Sequence, residues 1–411
     1  MDHFFKVIDI EEAFLVYPKF PKVCLESIPL RQAYDRILAE NIYSESNLPS
    51  FRKATMDGYA VCASSTFGAT ETNPVYLSII GAVPMGVLPE YTVHSGEAVK
   101  IATGGMLPVG ADSVVMVEYT NEIGSDMIEI CQSVAPGRYV LEVGEDYREH
   151  QCILSQGTQL RAQEIGLLAA FGKASVNVYK QPIIGIVSTG DEIVPIDQEP
   201  PMGCIRDVNS YTLQALIQKA GCIPRMFGIV SDDVSALFRT CSDALSQTDM
   251  LLISGGSSVG SRDFTIQVLS TLPNTEILLH GLSISPGKPT ILAKSGSISI
   301  WGLPGHVVSA MIVFEIAVRP LIETIKGSKT ISYFSTQFGI QARLTRNIAS
   351  AQGRTDFIRV HLHRQDGRVY AEPILGKSGL LHTMVEADGL IYISKNIEGL
   401  EKDVEVAVIP L

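Results

Sequence analysis

Between Gln181 and Lys326, continuous apolar runs at 183–187, 227–230, 250–253, 277–279 and 298–301 alternate with stretches of helical spacing. A helix is expected over 211–220, capped by Asn209 or Ser210 and stopped at Gly221. Another opens at Asp232-Asp233, and the last runs over 309–325. Unbroken apolarity marks strands buried on both faces. Strand–helix alternation packs such strands as a parallel sheet with helices on both sides, and ligands then sit beyond the strands' carboxyl ends.

The flanks have a different texture. Residues 10–16 and 31–38 carry helical spacing, and the helical pattern returns over 161–171 until Gly172 stops it. From Asn41 to Gly144, short β-rich runs at 75–80, 98–103 and 113–117 alternate with Gly and Pro turns, which predicts an all-β module. After Gly327, runs at 338–344, 357–362, 369–373, 389–394 and 404–409 predict a small barrel or sandwich.

The 411 residues call for two to four domains. Hydrophobic content of 46% with 18% charged residues describes a folded chain. A net charge of −12 argues against nucleic acid and against an anionic membrane surface as partners. It leaves room for an anionic ligand, because local lysines or bound cations reverse the sign inside a pocket. The seven cysteines are dispersed without zinc or redox spacing, as expected of reduced thiols in a cytoplasmic protein. The first twenty residues carry Asp2, Asp9, Glu11 and Glu12 and do not read as a signal peptide. The apolar run 307–318 is too short to span a bilayer.

Four polar, glycine-rich loops punctuate the sheet block, each expected after a strand and before a helix. They are Ser188-Thr189-Gly190-Asp191-Glu192, residues 254–263, Ser285-Pro286-Gly287-Lys288-Pro289 and Gly302-Leu303-Pro304-Gly305-His306. Glycine lets backbone N–H groups approach an anion, so these read as phosphate cradles. Asp191 and Glu192 suit Mg²⁺, a hard cation that bridges to phosphate, or equally a solvated turn. Gly255, Gly256, Ser258 and Gly260 supply flexible backbone and donors, and Asp263 closes that loop. Lys288, stiffened by two prolines, suits an oxyanion or is an exposed lysine. Gly305 and Ser309 open the last helix, another anion position, and His306 reads as a ligand, an acid–base group or, by default, a turn residue. Asp57, Thr103 and Asp146 have ordinary turn readings when taken alone.

Together, and in this order, these strings resemble the molybdopterin molybdenumtransferases, MoeA-like proteins that share a fold with the C-terminal domain of gephyrin. The matching strings begin with Met56-Asp57-Gly58-Tyr59-Ala60-Val61, Ile101-Ala102-Thr103-Gly104-Gly105 and Gly144-Glu145-Asp146. They continue through the sheet-block loops and Arg206-Asp207-Val208-Asn209-Ser210. Gly353-Arg354-Thr355-Asp356-Phe357-Ile358-Arg359 and Lys377-Ser378-Gly379 complete them.

The resemblance implies a multidomain α/β plus β protein. It would have a discontinuous helical domain at 1–44 and 145–180, an inserted β-rich domain at 45–144, a parallel-sheet molybdopterin-binding domain at 181–327 and a C-terminal small β-barrel at 328–411. It also implies a homodimer with the site at its interface. The implied reaction inserts molybdenum from molybdate into molybdopterin-adenylate, with Mg²⁺ as cofactor and AMP released. A molybdopterin adenylyltransferase would act upstream, and molybdoenzymes would receive the product.

By the same resemblance Asp57, Glu192, Asp263 and Lys288 are catalytic, with Glu192 and Asp263 on metal. Glu192, Asp232 and Asp263 line the pterin–adenylate pocket with Gly190, Gly255, Gly256, Ser258, Gly260 and Gly305. Asp57, Thr103 and Asp146 come from the inserted module or the partner. Lys288, Ser309, Arg359 and Ser378 resemble the molybdate-holding set. The chain departs from the family pattern at Ser285, where lysine is common, at His306-Val307 in place of Asn-Pro, and at Ala54, His150 and Ser257. The departures fit a diverged but working enzyme, the favoured reading; the lysine missing at Ser285 is the one that favours the competing reading, a diverged paralogue that binds cofactor or acts as a scaffold without turnover.

Overall fold

The computed structural model describes residues 7–255, 261–329 and 339–411, with side chains for all of these but 261–263. Internal contacts divide the chain into two units, one of Met1–Ala39, Gly157–Ile165 and Ala174–Leu411, the other of Glu40–Gln156 and Gly166–Lys173.

The larger unit is organised on a six-stranded sheet. Its strands are β1 Ile183–Thr189, β2 Ile223–Val230, β3 Met250–Gly255, β4 Thr275–His280, β5 Ile291–Ser295 and β6 Ile298–Leu303, in the order β2-β1-β3-β6-β5-β4. The first four in that order are parallel. The expected all-parallel sheet is corrected at its other end, where β5 runs antiparallel to β6 and β4 antiparallel to β5. The missed strand, β5, has a short apolar run that ends at Lys294. It is joined to β6 by a tight hairpin through Gly296 at φ 59°, and a hairpin can only be antiparallel.

Period-two alternation sends β1 and β3 side chains to two cores. Ile184, Ile186, Met250 and Leu252 pack with Leu213, Ile217, Phe314 and Leu321. Val187, Leu251 and Ile253 pack with Leu237, Cys241, Val268 and Leu269. Helices α1 Asn209–Lys219 and α4 Val307–Val313 therefore cover one face, and α2 Val234–Leu245 and α3 Ser261–Thr271 the other. Beyond α4 the helical path continues through a π-helical turn, Phe314–Val318, to Arg319–Ile325. Asp233 caps α2 by accepting the Ala236 N–H at 2.7 Å. The cap expected of α1 differs: the helix already includes Asn209, and Asp207 accepts the Ser210 N–H at 3.0 Å.

The amino-terminal segment is less helical than its spacing predicts. A helix covers only Ile10–Phe14, and 31–38 is not an α-helix. Asp35 sits at φ 63°, and the N–H groups of Asp35 and Leu38 donate to the carbonyls of Leu160 and Thr158. Long-range backbone pairing has replaced the i→i−4 ladder there. Nearby, Leu25–Pro29 pairs antiparallel with Ser175–Tyr179. The helix expected over 161–171 is present as Ala162–Ala170, with Gly172 at φ 70°.

At the carboxyl end, Ile340–Leu344, Thr355–Gln365, Arg368–Pro373, Gly389–Ile393 and Glu405–Pro410 close into a five-stranded barrel. Ile284–Ser285 adds a short parallel strand to Thr355-Asp356, so the sheet domain and barrel share a ladder. In the smaller unit, six strands form one sheet in the order Ser113–Met116, Gly58–Val61, Glu97–Ile101, Val75–Val83, Met127–Ile130, Thr120–Ile123. A core packs on each of its faces. Among the described residues, no helix is long and apolar enough to cross a membrane.

Candidate functional site

Strands β1, β3 and β6 end at the carboxyl edge of the parallel strands, and the loops after β1 and β6 leave the sheet there. The Ser285–Pro289 loop arrives there by another route. It is not followed by a helix, as expected, but leads into β5. Because Ile291 pairs with Gly302, β5 begins where β6 ends. Four segments far apart in sequence thus meet at one edge, and two clefts lie along it.

The first cleft, about 540 Å³, is lined by Glu192, Asp232, Asn209, Gly255, Gly305 and His306, with Ile193, Ile205, Val208, Val307 and Leu381 as apolar wall. Its polar groups are held from behind. The Thr189 hydroxyl donates to Asp232 Oδ1 at 2.8 Å, and the Asp232 N–H donates to Asp191 Oδ1 at 3.1 Å. The Ser188 hydroxyl donates to Asp207 at 3.0 Å and lies 2.9 Å from Ser210 Oγ. Asn209 Nδ2 donates to the Gly305 carbonyl at 2.8 Å, while its buried Oδ1 has no hydrogen-bond partner among the described residues. Gly255 is at φ 119°, and a Cβ there would lie 1.9 Å from the Thr189 carbonyl oxygen. Only glycine permits that approach of β3 to β1.

The second cleft, about 600 Å³, is lined by Ser285, Pro286, Gly287, Lys288, Pro289, His306, Ser309, Arg354 and Ser378, among others. Lys288 is exposed, and its ammonium makes no hydrogen bond or ion pair with the described residues. Arg354 Nε is paired with Asp356 Oδ1 at 2.8 Å. Ser309 is 5% exposed, in the first turn of α4. His306 lines both clefts, and its Nδ1 lies 2.7 Å from Ser378 Oγ. An unpaired ammonium, a guanidinium, hydroxyls and a helix start suit a tetrahedral oxyanion.

Of the residues singled out from sequence, Glu192, Asp232, Gly255 and Gly305 share the first cleft, with Gly190 packed against the Glu192 carboxylate. Lys288, Ser309 and Ser378 share the second. Arg359 lines neither. Its Nη1 donates to the Thr383 hydroxyl at 2.6 Å and its Nη2 to the Gly376 carbonyl at 2.9 Å, its buried Nε has no hydrogen-bond partner among the described residues, and burial pushes its pKa below the usual guanidinium range. It braces the segment that carries Ser378. Gly256, Ser258 and Gly260 lie outside the described residues. Asp263 falls in α3, with its side chain likewise outside them.

In the smaller unit, Asp57 Oδ1 accepts the Thr103 N–H at 2.7 Å and its hydroxyl at 2.9 Å. The amide first, then the hydroxyl, holds the Asp57 carboxyl below the usual carboxylate range. Gly58 allows this turn, because a Cβ there would meet the Val115 carbonyl oxygen at 1.9 Å. Asp146 is exposed, and its N–H donates to the Leu48 carbonyl at 3.1 Å.

Among the polar lining residues, Arg206, Asp207, Asn209 and Arg354 were not assigned a site role from sequence. Arg354 stands inside the Gly353–Arg359 string, where Arg359 drew the assignment. Asn209 was read as a helix cap. The signal in both cases was a polar side chain inside a string already quoted for the family resemblance. Among the described residues, no three His, Cys, Asp or Glu side chains gather as a metal site.

The doubly covered sheet with its carboxylate and basic clefts is a ligand-binding α/β domain, and residues 185–324 match a probable molybdopterin binding domain. Residues 8–172 match the MoeA N-terminal region (domain I and II), and residues 341–411 the MoeA C-terminal region (domain IV). The chain is 35% identical to a putative molybdopterin biosynthesis protein of Methanocaldococcus jannaschii, over 92% of this chain and 90% of that one. It is 30% identical to the molybdopterin molybdenumtransferase of Bacillus subtilis, over 93% and 89%. A crystal structure of a molybdopterin biosynthesis MoeA protein from Pyrococcus horikoshii superposes with a TM-score of 0.84 at 31% identity, covering 99% of this chain and 100% of that one. The chain belongs to the MoeA family.

Proposed function

We propose that this protein is a molybdopterin molybdenumtransferase, which inserts molybdenum from molybdate into adenylated molybdopterin and releases AMP. The observation that carries the reading is the pair of clefts at one sheet edge, meeting at His306. The carboxylate cleft takes the adenylate. Its apolar wall of Ile193, Ile205 and Val208 suits a planar heterocycle, and Gly255 brings backbone close to phosphate. The basic cleft takes molybdate, a tetrahedral dianion, on Lys288, Arg354, Ser309 and Ser378.

Glu192 and Asp232 are oxygen donors facing one cleft, the set Mg²⁺ uses when phosphate oxygens complete its shell. Bound there, Mg²⁺ would neutralise the phosphoanhydride as it breaks. Asp57, Thr103 and Asp146 are candidates for the same reaction from the smaller unit. We further take the protein to be a cytoplasmic homodimer, fed by an adenylyltransferase and emptied by molybdoenzymes. The close resemblance of the whole chain to named transferases supports this.

The test is AMP release from adenylated molybdopterin with Mg²⁺, with and without molybdate. Release that requires molybdate and yields active cofactor supports the transferase. Release without molybdate identifies a hydrolase. Tight adenylate binding with no release identifies a binding protein. Light scattering tests the dimer separately.

A further inference from the structure

We infer that His306 is a proton-dependent positioning residue, which controls whether the Ser378 hydroxyl is free to hold the oxyanion. The inference rests on the reading of the Lys288 cleft as an oxyanion site.

His306 occupies the N-cap position of α4 but makes no side-chain cap bond. Its imidazole is turned instead to Ser378, with Nδ1 2.7 Å from Oγ. The backbone holds the two segments in register, since the Val308 N–H donates to the Ser378 carbonyl at 3.3 Å. On the other side, Asn209 pins Gly305 through its carbonyl. The imidazole is thus held where the two clefts meet, from a stiff helix start.

A serine hydroxyl has one proton to give. When Nδ1 carries no hydrogen it accepts that proton, and Ser378 then offers the second cleft only lone pairs, which repel an oxyanion. When the imidazole is protonated, Nδ1–H donates to Oγ. The serine O–H then turns to the anion, and a positive charge is added behind it. Charge and hydrogen-bond direction act in the same sense.

The charged groups sharing these clefts are Lys288 and Arg354 on one side, and Glu192, Arg206, Asp207 and Asp232 on the other. Lys377 and His382 lie along the segment that carries Ser378, and α4 itself contributes no charge. Asp356 offsets Arg354 and Asp207 is engaged by Ser188 and Ser210, so among the described residues that line the basic cleft Lys288 is a cation without an ion pair. One further charge on His306 is a large relative change. Histidine is the side chain whose ordinary titration falls between pH 5 and 8.

The experiment is calorimetric binding of molybdate to the full chain from pH 6 to 8.5, with sulfate as a second dianion that exchanges no proton in this range. In the unsubstituted protein, affinity for both anions should rise roughly ten-fold from pH 8 to pH 6. His306→Asn, which removes the titrating group, should flatten that profile. Ser378→Ala should weaken binding most at low pH. An unchanged pH profile in His306→Asn, with binding retained, overturns the role of His306 and leaves the transferase reading intact. No binding of either anion to the unsubstituted protein at any pH overturns the oxyanion cleft and this inference with it.

Discussion

Asp57 and Thr103 are joined through one oxygen: Asp57 Oδ1 takes both the backbone N–H and the side-chain hydroxyl of Thr103, at 2.7 and 2.9 Å. Both bonds favour the ionised carboxylate, which is why its pKa is lowered. The sign follows from linkage. A lowered carboxylate pKa contributes stability above the usual carboxylate range and loses it as pH falls through the folded value. Thr103→Val keeps the amide and removes the hydroxyl. The Asp57 titration followed by carboxyl NMR should therefore move part of the way up toward an ordinary aspartate. A midpoint that stays put would show that the hydroxyl contributes nothing.

Gly255→Ala places a methyl 1.9 Å from the Thr189 carbonyl at a backbone φ of 119°. Either β3 or β1 must move, at a cost of about 2–4 kcal/mol. The single tryptophan, Trp301, is fully buried in β6 beside β3 and reports this in denaturant melts by its fluorescence. Gly166→Ala is the opposite case. The residue lies inside the helix Ala162–Ala170 with open space where its Cβ would go, so the change should stabilise by about 0.5–1 kcal/mol.

Lys288→Ala removes the unpaired ammonium of the basic cleft. Molybdate KM should rise roughly ten- to hundred-fold with a smaller change in kcat, since a charge-assisted bond contributes about 1.5–3 kcal/mol. Lys288→Arg should recover only part of this, because a planar guanidinium on that short loop does not reproduce a point charge. Steady-state kinetics at two ionic strengths would expose a lysine that merely sits in solvent, because its removal would then leave KM unchanged.

Glu192→Gln keeps size and removes a charge facing the adenylate cleft. Turnover should fall about 10²-fold or more, and the Mg²⁺ concentration for half activity should rise. Binding of the adenylate, measured by equilibrium dialysis, should survive. Chelation of Mg²⁺ from the unsubstituted enzyme should reproduce the loss of turnover. Full activity in the variant would remove Glu192 from the metal set.

Elements held by local periodicity were legible in the chain. The apolar runs that became β1, β3 and β6, the helix stopped at Gly221 and the Asp233 cap all follow from rules acting within a few residues. What escaped depends on distant partners. Residues 31–38 have helical spacing, yet the N–H groups of Asp35 and Leu38 bond across to the carbonyls of Leu160 and Thr158. β5 was hidden because its direction is set by its hairpin with β6 rather than by composition. Lys288, Ser309 and Ser378 could be grouped only through the family resemblance, since nothing local links 288 to 378. Arg359 shows the converse: a matching arginine that lines neither cleft and donates from Nη1 to Thr383 and from Nη2 to Gly376.

The short ladder between Ile284–Ser285 and Thr355-Asp356 has a consequence for synthesis on the ribosome. Domains fold as they emerge, amino-terminal parts first. Most walls of the carboxylate cleft are encoded before residue 310, whereas the basic cleft lacks Arg354 and Ser378 until the barrel has been made. A nascent chain therefore has most of the carboxylate cleft before it has the basic one, so the order of synthesis sets the order in which the two halves of the site can form.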